Sequence, residues 1–594
     1  MFIRLLKQLW SRNAPPQRAV AARAPSAGER ESALLRHLDA SPQDADAWYE
    51  LGALHEQSPR PAAALAAYER ALALDPAHAW ASLGAAGMHD RNNEFERALG
   101  LYHRALPLAP KQAAQIHARI GALLRRRGDA HAAIESYRAA IRVRDDIAEI
   151  HYNFALALND CGYIEDAVGA LQRALALRED FALAHSTLLC ICGLNRQWPP
   201  QRVLEEHRRW AARHADPLAA MAAPHDNPRD PGRRLNIGYV SADFREHSVS
   251  FFIEPVLAAH DRLHFRIFCY DNFSGTDAVN RRLQTRADVW RKIDGLDDNA
   301  AAATIRADGI DILVDLSGHT AGNRLGVFAR KPAPVQATWF GYMCTTGMTA
   351  IDYRITDANL DPPGETEQFY SETLLRLPCA VAFSPAADCP PVNALPALTR
   401  GYPTLASFNN YTKIGDAVVA LWARILATLP VARLLLVAAG GDDPAMRNAV
   451  AARFAAFGAD PRQLNVIGRR SLDDFFKLFH EVDLALDPFP YSGGTTSLHT
   501  LWMGVPIVAL EGDSEIARST SGMLHAVGLD HLAVRSEDAY HDAVVTLARD
   551  PAQLVTLRTG LRQRMTASCL CNAAAVTASL EAVYRDIWNR WCMR

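Results

Sequence analysis

The sequence predicts an α-solenoid followed by two open α/β halves, and three observations carry that expectation. Over the first third of the chain, small and aromatic residues return at a spacing of about 34 residues, the length of one helix–turn–helix unit. Beyond residue 234, short apolar runs alternate with amphipathic stretches, the pattern of parallel sheets wrapped by helices. Several of those runs end in glycine with hydroxyl, amide or imidazole side chains, and ligands bind at such strand ends in open α/β sheets.

The 594 residues leave room for several domains, each with its own core. The balance of 63 Lys and Arg against 66 Asp and Glu offers no basic field for nucleic acid or an anionic membrane. Ten cysteines are scattered, and the close pairs Cys190/Cys192 and Cys569/Cys571 lack zinc-site spacing, so reduced thiols of a cytoplasmic protein are expected. The opening MFIRLLKQLWSR is interrupted by Arg4 and Lys7 and has no cleavage-like site after it. No apolar run approaches the roughly 18 residues of a membrane span, so no stable membrane anchor is expected. Residues 1–30, rich in Ala, Pro and Arg, are expected to form a mobile leader.

The repeat array is placed at 31–198. Trp48, Leu51, Gly52, Ala64, Tyr68, Ala71 and Pro76 fit the tetratricopeptide pattern. Later copies fall on Ala98, Tyr102, Ala105 and Pro110, then Gly121, Ala133, Tyr137 and Ala140, then Ala167, Leu171 and Ala174. Ser32–Pro42 and Phe181–Leu194 read as capping half-repeats. A protein or peptide on the concave face is the default ligand of such an array. Residues 199–233, with Pro199, Pro200, Pro224, Pro228 and Pro231, read as a linker.

The first α/β half is placed at 234–395, with strands at Leu235–Val240, Phe265–Tyr270, Ile310–Leu316 and Val335–Phe340. His247 follows the first strand, His319 and Thr320 the third, and Gly341, Thr345 and Thr346 the fourth, all at one sheet edge. An imidazole there can act as a base or contact a phosphate or hydroxyl. The second half is placed at 396–571, with strands at Thr404–Phe408, Arg433–Ala439, Asn465–Ile467, Leu484–Leu486 and Pro506–Leu510. Its focus is the turn Gly493-Gly494-Thr495-Thr496, where a strand breaks and a helix starts with free backbone N–H groups, a natural phosphate site. Lys413 follows the first strand of this half and shares that edge, so it can neutralise a diphosphate together with the helix start. The only Asp-x-Asp triplet is Asp44/Asp46 inside the repeat array, so no divalent metal is expected. Residues 572–594 are expected to form a strap helix crossing the two halves.

Taken in order, the repeats and the motifs NIGYVSADFREHS, DILVDLSGHTAGNR, PAPVQATWFGYMCTTG, SFNNYTKI and DPFPYSGGTTSLHTLWMGVPIVAL resemble glycosyltransferase family 41. That family comprises the O-linked N-acetylglucosamine transferases and SPINDLY-type proteins, and the resemblance covers residues 32 to about 590. It implies a GT-B fold, two Rossmann-like halves facing across a cleft, and inverting, metal-independent transfer from a nucleotide-sugar bound to the C-terminal half. By motif it assigns His247 as the active-site histidine and Lys413 as the lysine on the donor diphosphate. Gly493, Gly494, Thr495 and Thr496 become the diphosphate-binding turn, Asn410 a nucleotide-side amide, and Gly341, Thr345 and Thr346 the sugar pocket.

The chain departs from the family in three places. His499 stands where an acidic residue commonly contacts ribose, and Phe475 where a histidine often stacks near uracil. The asparagine ladder that grips extended peptides is reduced to Asn153, the other positions being Glu50, Gly84 and Arg119. The expected activity is transfer of N-acetylglucosamine from UDP-GlcNAc to Ser or Thr of a protein, with no cofactor. GDP-fucose or UDP-glucose as donor, and a nucleotide-binding scaffold without turnover, are the alternatives.

Overall fold

A computed structural model describes residues 26–594 except Pro59 and Ala387. The leader expectation therefore lies outside the described residues up to residue 25. Its end is already helical, because Ser26 and Glu29 form a reciprocal capping box that opens the helix Ala27–Ala40. The chain divides into two compact units at Leu123/Leu124.

In the first unit, helix pairs Ala45–Gln57/Pro61–Leu74 and Ala79–Arg91/Phe95–Leu108 repeat the same packing. Tyr68 is buried, and a Cβ added to Gly52 or Gly84 would lie 2.7 or 2.5 Å from its ring. The glycines thus admit the aromatic between one repeat and the next. Gly84 serves this packing and offers no amide to a peptide. Asp44, half of the Asp-x-Asp triplet, is the N-cap of its helix and accepts from the Ala47 N–H at 3.0 Å.

The second unit continues the array with Ala130–Val143, Ala148–Asp160, Ile164–Leu177 and the closing helix Ala182–Cys192. The stretch read as a linker from its prolines contains a further helix, Pro200–His214, which buries Val203, Leu204, His207, Trp210 and Ala211. Pro200 occupies its first turn, where a missing N–H costs nothing, so proline starts this helix instead of preventing it.

Two wholly parallel sheets follow. The first is ordered β3-β2-β1-β4-β5-β6-β7, with β1 (Leu235–Ser241), β2 (Phe265–Asp271), β3 (Val289–Lys292), β4 (Ile312–Asp315), β5 (Val335–Thr338), β6 (Tyr353–Asp357) and β7 (Thr373–Leu377). The second is ordered β10-β9-β8-β11-β12-β13, with β8 (Thr404–Ser407), β9 (Arg433–Val437), β10 (Leu464–Ile467), β11 (Leu484–Leu486), β12 (Ile507–Leu510) and β13 (Ala533–Val534). Sequence patterning predicts nine of these strands and misses β3, β6, β7 and β13. β3 and β13 are short edges, while β6 buries Arg354, Thr356 and Asp357 and so lacks an apolar signature.

Each sheet reverses its winding once, between β1 and β4 and between β8 and β11. Loops diverge at such switch points and leave a crevice outside the strand C-termini. His247 and His319 lie on the loops after β1 and β4; Lys413 and the glycine turn lie after β8 and β11. The last helix, Ala573–Cys592, buries Val576, Leu580, Tyr584, Ile587 and Trp588. It returns to the first sheet, where the Tyr584 and Tyr239 hydroxyls are 3.2 Å apart and Glu581 meets His260 at 2.8 Å.

Candidate active site

The turn after β11 is built around an acid that sequence reasoning missed. Asp487 is buried, and its Oδ1 accepts the Gly493 N–H at 2.8 Å. A Cβ on Gly493 would lie 1.9 Å from Ser497 Oγ and 2.8 Å from that same oxygen, so only glycine closes the turn. Helix Thr495–Trp502 then opens at Gly494 with no side-chain cap. Its first backbone bond is Leu498 N–H to Gly494 O at 3.2 Å, and among the described residues nothing accepts from Thr495, Thr496 or Ser497 N–H. Open space surrounds the Cβ direction of Gly494. Three unsatisfied donors at a half-exposed helix start, with the helix dipole behind them, can receive an anion.

Lys413 closes a 3₁₀ turn, Tyr411–Lys413, and reaches this loop from β8. Its Nζ donates to Ser492 O at 2.8 Å and to Asn409 Oδ1 at 3.4 Å, and it lies 4.2 Å from the Tyr491 ring centre. Burial lowers its pKa to about 8, opposed by the Asp487 charge, while burial pushes Asp487 up to about 7. Among the described residues, Asp487 Oδ2 has no hydrogen-bond partner. The amide in this cluster is the buried Asn409, not the predicted Asn410, whose exposed side chain accepts from Thr412 N–H at 3.4 Å and caps the turn.

In the N-terminal half, His247 is 37% exposed on a loop whose next helix is Ser250–Ala259. Val249 N–H donates to its Nδ1 at 3.3 Å, which places the ring proton of neutral imidazole on Nε2. Desolvation lowers its pKa, so the neutral ring presents a donor. Gly341 is sterically required, since a Cβ would lie 1.7 Å from Leu316 O.

Four predicted contacts are consumed inside the protein. Thr345 and Thr346 are fully buried: Thr345 Oγ1 donates to Glu372 Oε2 at 2.6 Å, and Thr346 N–H and hydroxyl both donate to Glu372 Oε1. They pin the loop and do not line a sugar pocket. His319 is buried beside His207, Trp210 and Tyr342, with Nε2 at 3.1 Å from Thr346 O and Nδ1 at 3.4 Å from Ser186 Oγ. Thr320 Oγ1 donates to Ser317 O at 2.6 Å within its own turn.

His499 turns away from the helix start into an aromatic box. Its ring lies edge-on to Phe251, Phe476 and Phe383 at centroid distances of 4.8, 5.1 and 5.3 Å. Burial drives its pKa to about 4, so it is neutral, and its Nε2 has no partner. Phe475 packs edge-on to Phe408 at 5.6 Å and to Phe479 at 5.0 Å beside β8. The two halves meet at Arg354 of β6, buried, whose Nε donates to Glu515 Oε2 at 2.8 Å.

Two Rossmann-like halves joined across a cleft, with an anion site at one switch point, define a GT-B glycosyltransferase fold behind a tetratricopeptide array. The profile of glycosyl transferase family 41 matches residues 214–383 and 402–580, and tetratricopeptide profiles match 31–79, 57–120 and 114–147. The chain belongs to glycosyl transferase family 41. It is 40% identical over 397 residues to SPINDLY of Petunia hybrida, described as a probable UDP-N-acetylglucosamine–peptide N-acetylglucosaminyltransferase. The corresponding SEC protein of Arabidopsis thaliana is 31% identical over 416 residues. Each match covers 66% of this chain and 42% of the relative, so the chain spans less than half the length of these plant proteins. A lysine-to-methionine mutant of the Thermobaculum terrenum O-GlcNAc transferase superposes with a TM-score of 0.75 at 33% identity, covering 96% of this chain and 99% of that one. No described helix is long and apolar enough to cross a membrane.

Proposed function

We propose that the protein is an inverting, metal-independent glycosyltransferase moving N-acetylglucosamine from UDP-GlcNAc to serine or threonine hydroxyls of proteins. The observation that carries this is the uncapped helix start beside the Lys413–Asp487 pair: unsatisfied N–H donors and a buried ammonium on one loop cluster. The acceptor oxygen attacks the anomeric carbon as the bond to the diphosphate breaks on the opposite face, which inverts the centre. Lys413 and the N–H groups of Thr495, Thr496 and Ser497 absorb the charge developing on UDP, a preorganised effect worth about 3 kcal/mol for a single lost donor. These groups supply positive charge where a metal ion would otherwise stand. His247, with its proton on Nε2, orients an oxygen by donating to it, and the acceptor proton passes to a phosphate oxygen of the departing donor. The repeat array presents the acceptor protein.

A second reading keeps the enzyme and changes the donor to GDP-fucose or UDP-glucose. His499 and Phe475, packed among aromatic rings where the family resemblance expects ribose and base contacts, favour the change of nucleotide to GDP-fucose and do not bear on UDP-glucose. Labelled UDP-GlcNAc, GDP-fucose and UDP-glucose offered separately with a cell lysate distinguish these readings. Label from UDP-GlcNAc is expected on protein, and absent with Lys413→Ala. Label from GDP-fucose alone favours the second reading. Equal background from wild type and variant means a scaffold.

A further inference from the structure

A cavity of about 520 Å³ opens where the end of the closing half-repeat meets both α/β halves, and none of the donor-site residues Lys413, Gly494, Thr495 or Thr496 lines it. Its wall carries more acid than base. Asp361, Glu511, Asp513, Glu515 and Glu537 line it against two arginines. Both arginines are already engaged, Arg196 with Glu537 at 2.7 Å and Arg535 with Glu511 at 3.0 Å. Asp513 is exposed at the rim and, among the described residues, in no ion pair.

Glu515 is the centre of this wall. It is 3% exposed and uses Oε2 for Arg354 and for the Tyr370 hydroxyl at 3.3 Å, while among the described residues nothing donates to Oε1. Arg354 is the guanidinium paired with it, and the buried Asp361 and Glu372 add negative charge around the same pair. Thr366 Oγ1, in a second element of the wall, is buried and has no partner among the described residues. Glu515 is paired through Oε2 alone, and its open Oε1, with the exposed Asp513, fits the wall to a cation carrying hydrogen-bond donors.

We propose that this cavity is an acceptor subsite, taking the arginine or lysine side chain of the protein being modified. The inference rests on the transferase reading above. A nucleoside diphosphate is repelled by these carboxylates, which separates the cavity from the donor site. The wall formed by Gly193–Pro200 continues the repeat array, and strand-end loops of both halves form the rest, so a chain running from array to cleft borders it. Burial holds Glu515 up at about 7, and a seated cation keeps it ionised.

The test uses the full chain and serine peptides that carry either arginine or its uncharged isostere citrulline at two to five residues from the serine. With UDP-GlcNAc, kcat/KM for arginine over citrulline is expected to reach about 10-fold at one spacing, as for a desolvated charge contact. The ratio should fall towards unity in Glu515→Gln and weaken in Asp513→Asn, a rim position that leaves folding untouched, with UDP affinity unchanged in both. In parallel, saturation-transfer NMR with acetyl-arginine amide should detect binding that acetyl-citrulline amide lacks and Glu515→Gln removes. Arginine-amide binding without transfer to any peptide would support the cation site and fail the transferase reading. Equal behaviour of arginine and citrulline in both arms overturns the proposal. So does spermidine binding through Glu515 with no preference among peptides, which would assign the cavity to a free organic cation.

Discussion

The two halves share one topology and spend their switch-point loops in opposite ways. Asp315 ends β4 and Asp487 follows β11, corresponding places in the two sheets, and burial raises the pKa of both. Asp315 is saturated: it accepts Ser317 N–H at 3.2 Å, Gly318 N–H at 2.8 Å and the Thr338 hydroxyl at 2.9 Å. Among the described residues, Asp487 keeps Oδ2 without a partner, beside a helix start with three idle N–H groups. Ser317 Oγ on the β4 loop is, among the described residues, also without a partner, so what sets the β11 loop apart is its three idle N–H donors, which suit an anionic ligand. Asp315 sets the shape of its loop; the β11 loop leaves backbone donors free for a ligand's charge.

The largest effect is expected at the unsatisfied loop. Lys413→Ala should lower the transfer rate by about 10²–10³-fold, read as labelled product per minute, because charge on the leaving group loses its preorganised partner. On the loop after β5, Thr345→Val should act on stability: the buried Glu372 loses a donor, costing about 1–3 kcal/mol in urea unfolding, while UDP affinity stays constant. A changed UDP affinity at unchanged stability would place Thr345 in the donor site and break the contrast.

His499 provides a third test. Its folded pKa of about 4 lies below the ordinary 6.5, so the unfolded chain takes up the proton first as pH falls. Stability from this group is therefore complete above about 6.5 and drains towards 4, reaching a loss of about 2 kcal/mol by pH 5. Wild type should lose that much more than His499→Phe between pH 7 and pH 5, measured by denaturant midpoints. The smallest effect belongs to Asp487→Asn. Removing the carboxylate charge leaves burial unopposed at Lys413, so the alkaline limb of the rate profile, near pH 8 in wild type, should move down by about one pH unit.

What was legible in the sequence was local. Tyr68, Tyr102 and Tyr137 mark the repeats because they recur near the repeat spacing and are buried, and the Gly493–Thr496 turn announces its N–H groups by composition alone. What was not legible depends on partners far along the chain. Thr345 and Thr346 resemble ligand contacts until Glu372, 26 and more residues on, accounts for them. Strand β6 lacks an apolar pattern because Arg354 is answered by Glu515 from the other half. Asn409 and Asn410 differ only in which one the backbone turns inward. Asp487 could have been found, since an acid directly before a glycine-rich turn has N–H groups to hold six residues later.

The central claim is that a nucleoside diphosphate seats on the β8/β11 switch point through Lys413 and the open helix start. Calorimetric titration of UDP into wild type, Lys413→Ala and His247→Ala tests it directly. UDP should bind wild type and His247→Ala alike and bind Lys413→Ala at least about 10-fold more weakly, the worth of one charge-assisted contact. Equal affinity for wild type and Lys413→Ala, or loss only in His247→Ala, would contradict it.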